Sequence, residues 1–461
     1  MSNTQTRGQW ASRLGFILAA AGSAIGLGNI WKFPYITGQN GGGAFVLVYL
    51  LCIALIGLPI MISELMLGRH TRKDAVGAFI SLEGKGTPWQ LAGWVSVAAA
   101  FIILSYYSVV AGWTLDYVWR ALQGAFVGQS AAAIEQQFDG LIGDGARQII
   151  CHLGFIALSL AIVIGGVHKG IERWSKILMP VLFALLLLLF VNGLLSAGAA
   201  EGLRFMFYPD FSKLTPASVL EAMGHSFYTL SLGMAIIITY GSYLDNDANL
   251  VGAGVRVALL DTAIALMAGL AIFPIVFAVG MEPSAGPGLV FKTIPIVFAQ
   301  LPGGYLLAIL FFLLIAFAAL TSTISLLEAQ VAYLIDERGW GRKKATTFLA
   351  LLCFVVGIPS ALSYNVLGSW TLLGERTFFD SIDLIASNYL LPFSGLLIAL
   401  YVGWFWKGEA EKEELRAGNA PWVYPVWHFM IRYVSPLAVA MVLYAKIKES
   451  GLFTYLATLF S

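Results

Sequence analysis

Asp261 lies inside the apolar run 250–281, where a carboxylate is costly enough to be functional by default. Further oxygen donors sit in other apolar runs. Asn29 ends the stretch Gly22-Ser-Ala-Ile-Gly-Leu-Gly-Asn29, Thr229 and Ser231 belong to Thr229-Leu-Ser-Leu-Gly-Met234, and Thr321-Ser-Thr323 interrupts a third run. Gly22, Gly26 and Gly28 fall within seven residues. Each glycine inside a helix costs about 1 kcal/mol against alanine, so this stretch is expected to unwind. Unwinding frees carbonyl oxygens, here those of Gly22, Ala24 and Ile25, which coordinate hard cations, and exposes half-helix N-termini, which attract anions. An all-oxygen donor set suits Na⁺ and lacks the His/Cys grouping that suits a transition metal. A single Ser or Thr in an apolar helix usually bonds back to its own preceding turn; the convergence of several carries the reading. Glu64, a full turn inside Arg69, is expected to cap free backbone N–H groups of an unwound helix. Of the pair Tyr106-Tyr107, one is expected to face lipid or core and the other to offer its hydroxyl to a ligand.

These residues need a membrane to be placed in. The 461-residue chain is 59% hydrophobic and 11% charged, with a mean hydropathy of +0.80. That is too little polar surface for a water-soluble domain. Apolar runs of membrane-crossing length recur, giving eleven spans at about 10–37, 41–68, 90–122, 147–166, 173–198, 218–243, 250–281, 302–335, 344–358, 380–405 and 426–446. The first run reads as a working span, not a cleaved leader. With the N-terminus in the cytoplasm, inside segments carry sixteen Lys and Arg residues and outside loops five. That bias sets the orientation, and an odd number of spans puts the C-terminus outside, which Lys446 and Lys448 fit poorly. Cys52, Cys151 and Cys353 all lie in apolar spans with no metal-ligand spacing. With no glycosylation sequon, they favour a bacterial inner membrane. The net charge of +1 suggests no nucleic-acid partner, and no obligatory protein partner is evident.

Spans 1 and 6 carry the two flexible breaks. They are five crossings apart and therefore antiparallel. Interrupted helices at matching positions of two inverted halves point to a binding site at the membrane midplane; the alternative, tight packing through small residues, explains each run alone but not the pair. The expected architecture is all-α, one domain over 1–461, with inverted halves of five spans at about 10–198 and 218–405 and one further span at 426–446.

Trp10-Ala-Ser-Arg-Leu-Gly15, Ala21-Gly-Ser-Ala-Ile-Gly-Leu-Gly-Asn-Ile-Trp-Lys-Phe-Pro34 and Asn40-Gly-Gly-Gly-Ala-Phe45 closely resemble the span 1 signature of the neurotransmitter:sodium symporters, whose fold is the LeuT type. Gly170-Ile-Glu-Arg-Trp-Ser-Lys176, Phe227-Tyr-Thr-Leu-Ser-Leu-Gly233 and Ala319-Leu-Thr-Ser322 match later landmarks. The resemblance runs from about residue 7 to residue 440, and eleven spans suit a bacterial amino acid transporter of that family. It implies a first sodium site at the Ala24 carbonyl, Asn29, Thr229 and Asp261, completed by the substrate carboxylate. It implies a second at the carbonyls of Gly22, Ile25 and Ala318 with Thr321 and Ser322. Substrate would rest against Ala24, Leu27, Gly28, Ile103, Tyr107, Tyr228, Ser231, Met234, Ser322 and Leu326. Lys32 and Asp383 resemble the outer gate pair, and Arg7, Trp10, Tyr243 and Asp336 the inner latch. Gly170 and Pro180 resemble an element at which span 5 unwinds.

The implied activity is sodium-coupled import of a neutral, hydrophobic α-amino acid by alternating access. Gly26 stands where the family's monoamine carriers have an aspartate, which favours a substrate bringing its own carboxylate. Four positions depart from the family pattern. Lys32 replaces an arginine and so loses the bidentate fork; Tyr228 stands at a lid that is commonly phenylalanine; His225 stands for a glutamine near the family's chloride site; Asp261 stands for a frequent asparagine. A permanent charge at Asp261 makes chloride dispensable, although a protonated His225 would offset it. Rival readings are proton coupling on the same architecture, a channel, which gates at both ends disfavour, and a membrane enzyme. For an enzyme, no nucleophile elbow, metal triad, phosphate loop or acid/base pair is found.

Overall fold

The computed structural model describes residues 8–281, 289–406, 409–416 and 419–449. Among them nine helices are long and apolar enough to cross a membrane, and the halves of span 1, Arg13–Ala24 and Gly28–Gln39, meet at a bend of 50° to make a tenth. Span 6 is divided into Pro216–Thr229 and Ile236–Gly241, each too short to cross alone. The others are Gly43–Thr71, Gln90–Leu122, Gly145–Val163, Val167–Leu195, Leu250–Ala278, Gly304–Asp336, Arg342–Ala361, Phe378–Phe405 and Val423–Glu449. The fold is helical, as expected, apart from a two-stranded hairpin pairing Thr371–Leu373 with Arg376–Thr377 between spans 9 and 10. Gly374, at φ +64°, makes its turn. Shorter helices, Ala75–Glu83, Ala131–Gly143, Ala199–Phe207, Thr293–Gln300 and Glu409–Arg416, lie in the connections.

Local chemistry sets several helix starts. Ser12 caps span 1 by accepting from the Gly15 N–H (3.0 Å). Thr215 accepts from Ser218 N (3.1 Å) ahead of Pro216, whose fixed φ suits the first helical position of span 6. Spans 3 and 8 are the most enclosed, whereas spans 4, 5, 9 and 11 turn Ile150, Leu187, Leu188, Leu351, Val355, Leu437 and Met441 outward. Such apolar flanks would be a liability in water and are ordinary against lipid tails.

Span 5 differs from expectation. Val167–Leu195 is wound throughout, opening on a π turn at Val167–Glu172 and passing through Pro180. Membrane helices tolerate a proline because neighbours re-satisfy the freed carbonyl. Gly170 has a packing reason instead, since a Cβ there would lie 2.1 Å from the Ile162 carbonyl oxygen. Two residues on, Glu172 accepts from Ala11 N (2.7 Å), Ser12 Oγ (2.9 Å) and Lys176 Nζ (2.6 Å), pinning the start of span 1 to span 5.

Asp74 caps the Ala75–Glu83 helix through Val76 N (2.8 Å) and Gly77 N (3.2 Å), and its own N–H donates to Asp336 (2.9 Å). Burial, then the neighbouring Asp336 charge, pushes the Asp74 carboxyl up to about 7. A carboxyl raised in the fold destabilises above that pH, where it must ionise, and the penalty fades as pH falls through it. Asp74→Asn keeps an equally good cap and removes the charge. It should raise the melting temperature at pH 8 by about 2 °C or more, with about half that gain at pH 5.5 and little near pH 4. Equal shifts at all three pH values would remove the electrostatic cause.

Candidate functional site

The helix of span 1 stops at Ala24 and resumes at Gly28, and that of span 6 stops at Thr229 and resumes at Ile236. In the second gap Ser231, Gly233 and Ala235 all have positive φ (56°, 72° and 61°), a region non-glycine residues rarely occupy. Such backbone survives only where its surroundings hold it. Glu64 supplies part of that hold: the Gly233 N–H donates to its Oε1 (2.8 Å), the capping role expected of it. Ser231 Oγ adds a bond to the Ser23 carbonyl across the two gaps (3.0 Å).

Around the gaps the oxygen donors gather in two places. Asn29 Nδ2 donates to Asp261 Oδ1 (2.7 Å) and to its carbonyl (3.1 Å), and Thr229 Oγ1 donates to both Asp261 carboxylate oxygens (3.1 and 3.2 Å). Gly26 N donates to Asn29 Oδ1 (3.2 Å), tying this group to the span 1 gap, where Ala24 is also buried. Nearby, Thr321 Oγ1 donates to the Ala318 carbonyl (2.9 Å) and reaches the Ile25 carbonyl at 3.5 Å. Ser322 Oγ lies 3.2 Å from the Ser23 carbonyl and 3.3 Å from that of Ala318. A Cβ on Gly22 would sit 3.3 Å from Thr321 Cβ, so the Gly22 backbone closes this second group. Asn29, Thr229 and Asp261 thus form one group, and Gly22, Ile25, Ala318, Thr321 and Ser322 another, while the Ala24 carbonyl accepts from Gly26 N in the span 1 gap (3.0 Å). All are oxygen donors, and among the described residues no group of three or more His, Cys, Asp or Glu competes for a metal.

Between the gaps lies a cavity of about 30 Å³, lined by Ala24, Gly28, Ile103, Tyr107, Tyr228, Ser231, Met234, Ser322 and Leu326, nine of the ten expected contacts. At roughly 10–15 Å³ per water, it has room for two or three waters. The tenth, Leu27, lines a wider outer vestibule of about 430 Å³ instead. Only its N–H faces inward, donating to Tyr107 Oη (3.1 Å). The unwound turn rotates successive side chains to different sides, and spacing along the sequence does not reveal which. Gly26, read above as bearing on substrate class, lines the cavity as well; Ser23, Ile236 and Ser325 also line it and were not foreseen. The Ser322–Ser325 spacing of one helical turn on span 8 is a signal that could have found the last. A Cβ on Gly26 would meet Ser322 Oγ at 2.4 Å, so a side chain there would have to displace that hydroxyl.

Tyr107 and Tyr228 line both spaces and separate them. Tyr106, with its hydroxyl on Asp383 Oδ1 (2.7 Å), belongs to the vestibule, not to lipid. The two residues expected to form an outer gate are apart: among the described residues Lys32 and Asp383 make no ion pair, and the Lys32 ammonium sits 4.7 Å over the Tyr228 ring. On the inner side, Trp10 Nε1 donates to the Tyr240 carbonyl (3.0 Å), and its ring packs edge-on to Tyr240 and Tyr243. Tyr243 Oη donates to the buried Glu328 (2.8 Å), which takes a bidentate fork from Arg342 (2.7 Å each); that pair was not foreseen. Asp336 meets the Asp74 N–H, and Arg7 lies outside the described residues.

The arrangement is that of a helical membrane protein whose two broken spans meet over a small polar-and-apolar cavity, with a vestibule above and packed aromatics below. The model of the sodium:neurotransmitter symporter family matches residues 7–132 and 126–460, and the chain belongs to that family: it is a sodium-dependent symporter. It is 43% identical over 436 residues to the uncharacterized sodium-dependent transporter YhdH of Bacillus subtilis, covering 94% of this chain and 96% of that one. An uncharacterized sodium-dependent transporter of Haemophilus influenzae is 36% identical over 451 residues, 96% and 98% of the two chains. Among solved structures, MhsT in complex with L-phenylalanine is 47% identical with a TM-score of 0.88, over 95% of this chain and the whole of that one. The first two of these relatives are named as transporters.

Proposed function

We propose that the chain imports a neutral, apolar α-amino acid together with two sodium ions by alternating access, without chloride, across the inner membrane of a bacterium. One observation carries the reading: two oxygen clusters and an apolar wall converge on a single cavity at two unwound segments. Asn29, Thr229 and Asp261, with the Ala24 carbonyl, would hold one ion beside the substrate carboxylate. Thr321 and Ser322, with the carbonyls of Gly22, Ile25 and Ala318, would hold the other. Sodium in contact with the carboxylate makes each ligand improve the other's binding, a reciprocal coupling. The membrane potential adds about 2.3 kcal/mol per charge per 100 mV.

The opposite end of the cavity, Ile103, Met234, Ile236 and Leu326, offers no partner for a second charge, so a charged side chain would be penalised. Methionine adapts its shape, which supports several aliphatic and aromatic substrates, and the L-phenylalanine in the related MhsT complex points the same way. A vestibule above and seated Trp10 below describe a carrier open to the outside and closed within. Spans 1–5 and 6–10 are read as inverted halves, rocking about the central site. The N-terminus is read as cytoplasmic and the C-terminus as external. Lys446, the awkward charge for that orientation, is paired with Glu221 (3.1 Å) and Glu449 (3.3 Å).

Purified protein in proteoliposomes should accumulate labelled leucine or phenylalanine under an inward sodium gradient, and not when K⁺ replaces Na⁺. Competition by all twenty amino acids should rank apolar ones first. Lysine or glutamate winning would overturn the substrate class. Uptake that collapses with a protonophore while the potential is clamped would transfer the coupling to protons.

A further inference from the structure

Arg432 lies in span 11, level with the end of span 10. Trp404 Nε1 donates to the Arg432 carbonyl (2.8 Å), and a Cβ on Gly403 would stand 2.9 Å from Arg432 Cα. Span 10 ends one residue past Trp404, at Phe405, so Arg432 belongs to the membrane–water boundary and not to the midplane. Trp404, Phe405, Phe429 and Tyr433 are all exposed around it, an aromatic belt of the kind that sits at headgroup level. The guanidinium is 4.3 Å from the centre of the Trp404 ring and 5.7 Å from that of Tyr433. Its charge is unanswered within the chain. Among the described residues Arg432 makes no ion pair; its Nη1 meets only His428 Nε2 (3.5 Å), and its Nε is buried without a hydrogen-bond partner. Glu411 is one ring further off, 3.3 Å from His428 Nδ1, and also accepts from the Tyr424 hydroxyl. An arginine does not shed its proton in a protein, and a charge on a membrane span is costly unless it is paired.

We infer that Arg432 receives the phosphate of an anionic phospholipid of the cytoplasmic leaflet, whose acyl chains lie along the apolar flank of span 11. The leaflet follows from reading the N-terminus as cytoplasmic; the site itself is independent of what the carrier transports. A guanidinium offers a phosphate two parallel hydrogen bonds, and the rings of Trp404 and Tyr433 hold its plane in place. The exposed Trp404 ring is the part that can move aside for a headgroup. Basic groups between spans at the cytoplasmic side suit anionic headgroups. A zwitterionic headgroup would bring a second cation beside Arg432, whereas one net negative charge balances it. The stripe for the chains is also present. Phe429, Tyr433, Leu437 and Met441 are exposed at every fourth position, one face of the helix. Eight residues separate Tyr433 from Met441, about 12 Å along the axis, which is most of one leaflet's roughly 15 Å of hydrocarbon.

The experiment titrates the full chain, purified in a neutral detergent and stripped of lipid, with phosphatidylglycerol or with phosphatidylcholine. Native mass spectrometry counts the bound lipid, and intrinsic fluorescence reads the melting temperature, which a ligand of the folded state raises. Phosphatidylglycerol should bind about fivefold tighter than phosphatidylcholine, the effect of one basic residue at an anionic lipid. Arg432→Met should bring it down to the phosphatidylcholine level. Lys343→Met, which removes an exposed basic residue elsewhere, should leave the preference intact. Arg432→Lys keeps the charge but loses the fork and should fall between. Equal binding of the two lipids by the wild type, or a preference that survives Arg432→Met, would overturn the proposal. If the methionine variant does not fold, Arg432→Lys decides, because an undiminished preference there removes the guanidinium from the site. Sodium phosphate raising the melting temperature as much as phosphatidylglycerol does would assign the site to a free anion and overturn the lipid. None of these readouts involves uptake, so failure of the transport reading and failure of this one are told apart.

Discussion

Asn29→Ala should raise the sodium concentration for half-maximal uptake at least tenfold while leaving the protein folded. The Asn29 amide donates twice to Asp261 and accepts from the Gly26 N–H. Truncation leaves a buried carboxylate oxygen and a buried N–H without those partners, a cost in the upper part of the range of about 1–3 kcal/mol, or roughly 10- to 150-fold in a binding constant. Thr321→Ala is the companion for the second cluster. Its hydroxyl bonds only the Ala318 and Ile25 carbonyls, so the loss should be smaller, about fivefold, within the range for a neutral hydrogen bond. Sodium titrations of uptake in proteoliposomes, with size-exclusion profiles as the folding control, separate the two. An unchanged sodium dependence in either variant would take that residue out of the cation sites.

Asp261→Asn is expected to create a chloride requirement. On the proposed reading the wild type should transport equally in gluconate and in chloride, because an ionised Asp261 would supply a negative charge beside the first cation. In a partly polar interior two unit charges 4 Å apart interact by about 4 kcal/mol at an effective dielectric near 20, and the asparagine forfeits that attraction. A small anion is then needed to restore it. The surroundings can receive one: among the described residues both ring nitrogens of His225 are buried without hydrogen-bond partners, and the His225 ring packs 5.5 Å from that of Tyr49. Strict chloride dependence of the wild type would refute the idea, as would a variant equally slow in both anions.

Nine long apolar helices, the two breaks and the oxygen donors were legible in the sequence because each is a local property. An apolar run long enough to cross hydrocarbon must be a helix, since no water is there to satisfy a bare backbone. Clustered glycines weaken a helix wherever it goes, and Asp261 or Glu64 in such a run is conspicuous in any fold. The likeness of short motifs then extended these facts to a family. What the sequence left open concerns direction and distance. Which of Tyr106 and Tyr107 faces the cavity, and why Leu27 turns to the vestibule, depend on how an unwound turn and a neighbouring helix rotate against each other. Gly170 resembled a hinge but is a point of close approach to Ile162, a contact between spans 4 and 5 that no pattern within span 5 encodes. The pairing of Glu328 with Arg342, and of Glu221 with Lys446, joins residues 14 and 225 positions apart. Charge strength is written in the residue type, but the partner is chosen only when the packed helices bring one acceptor within reach and leave another across a vestibule.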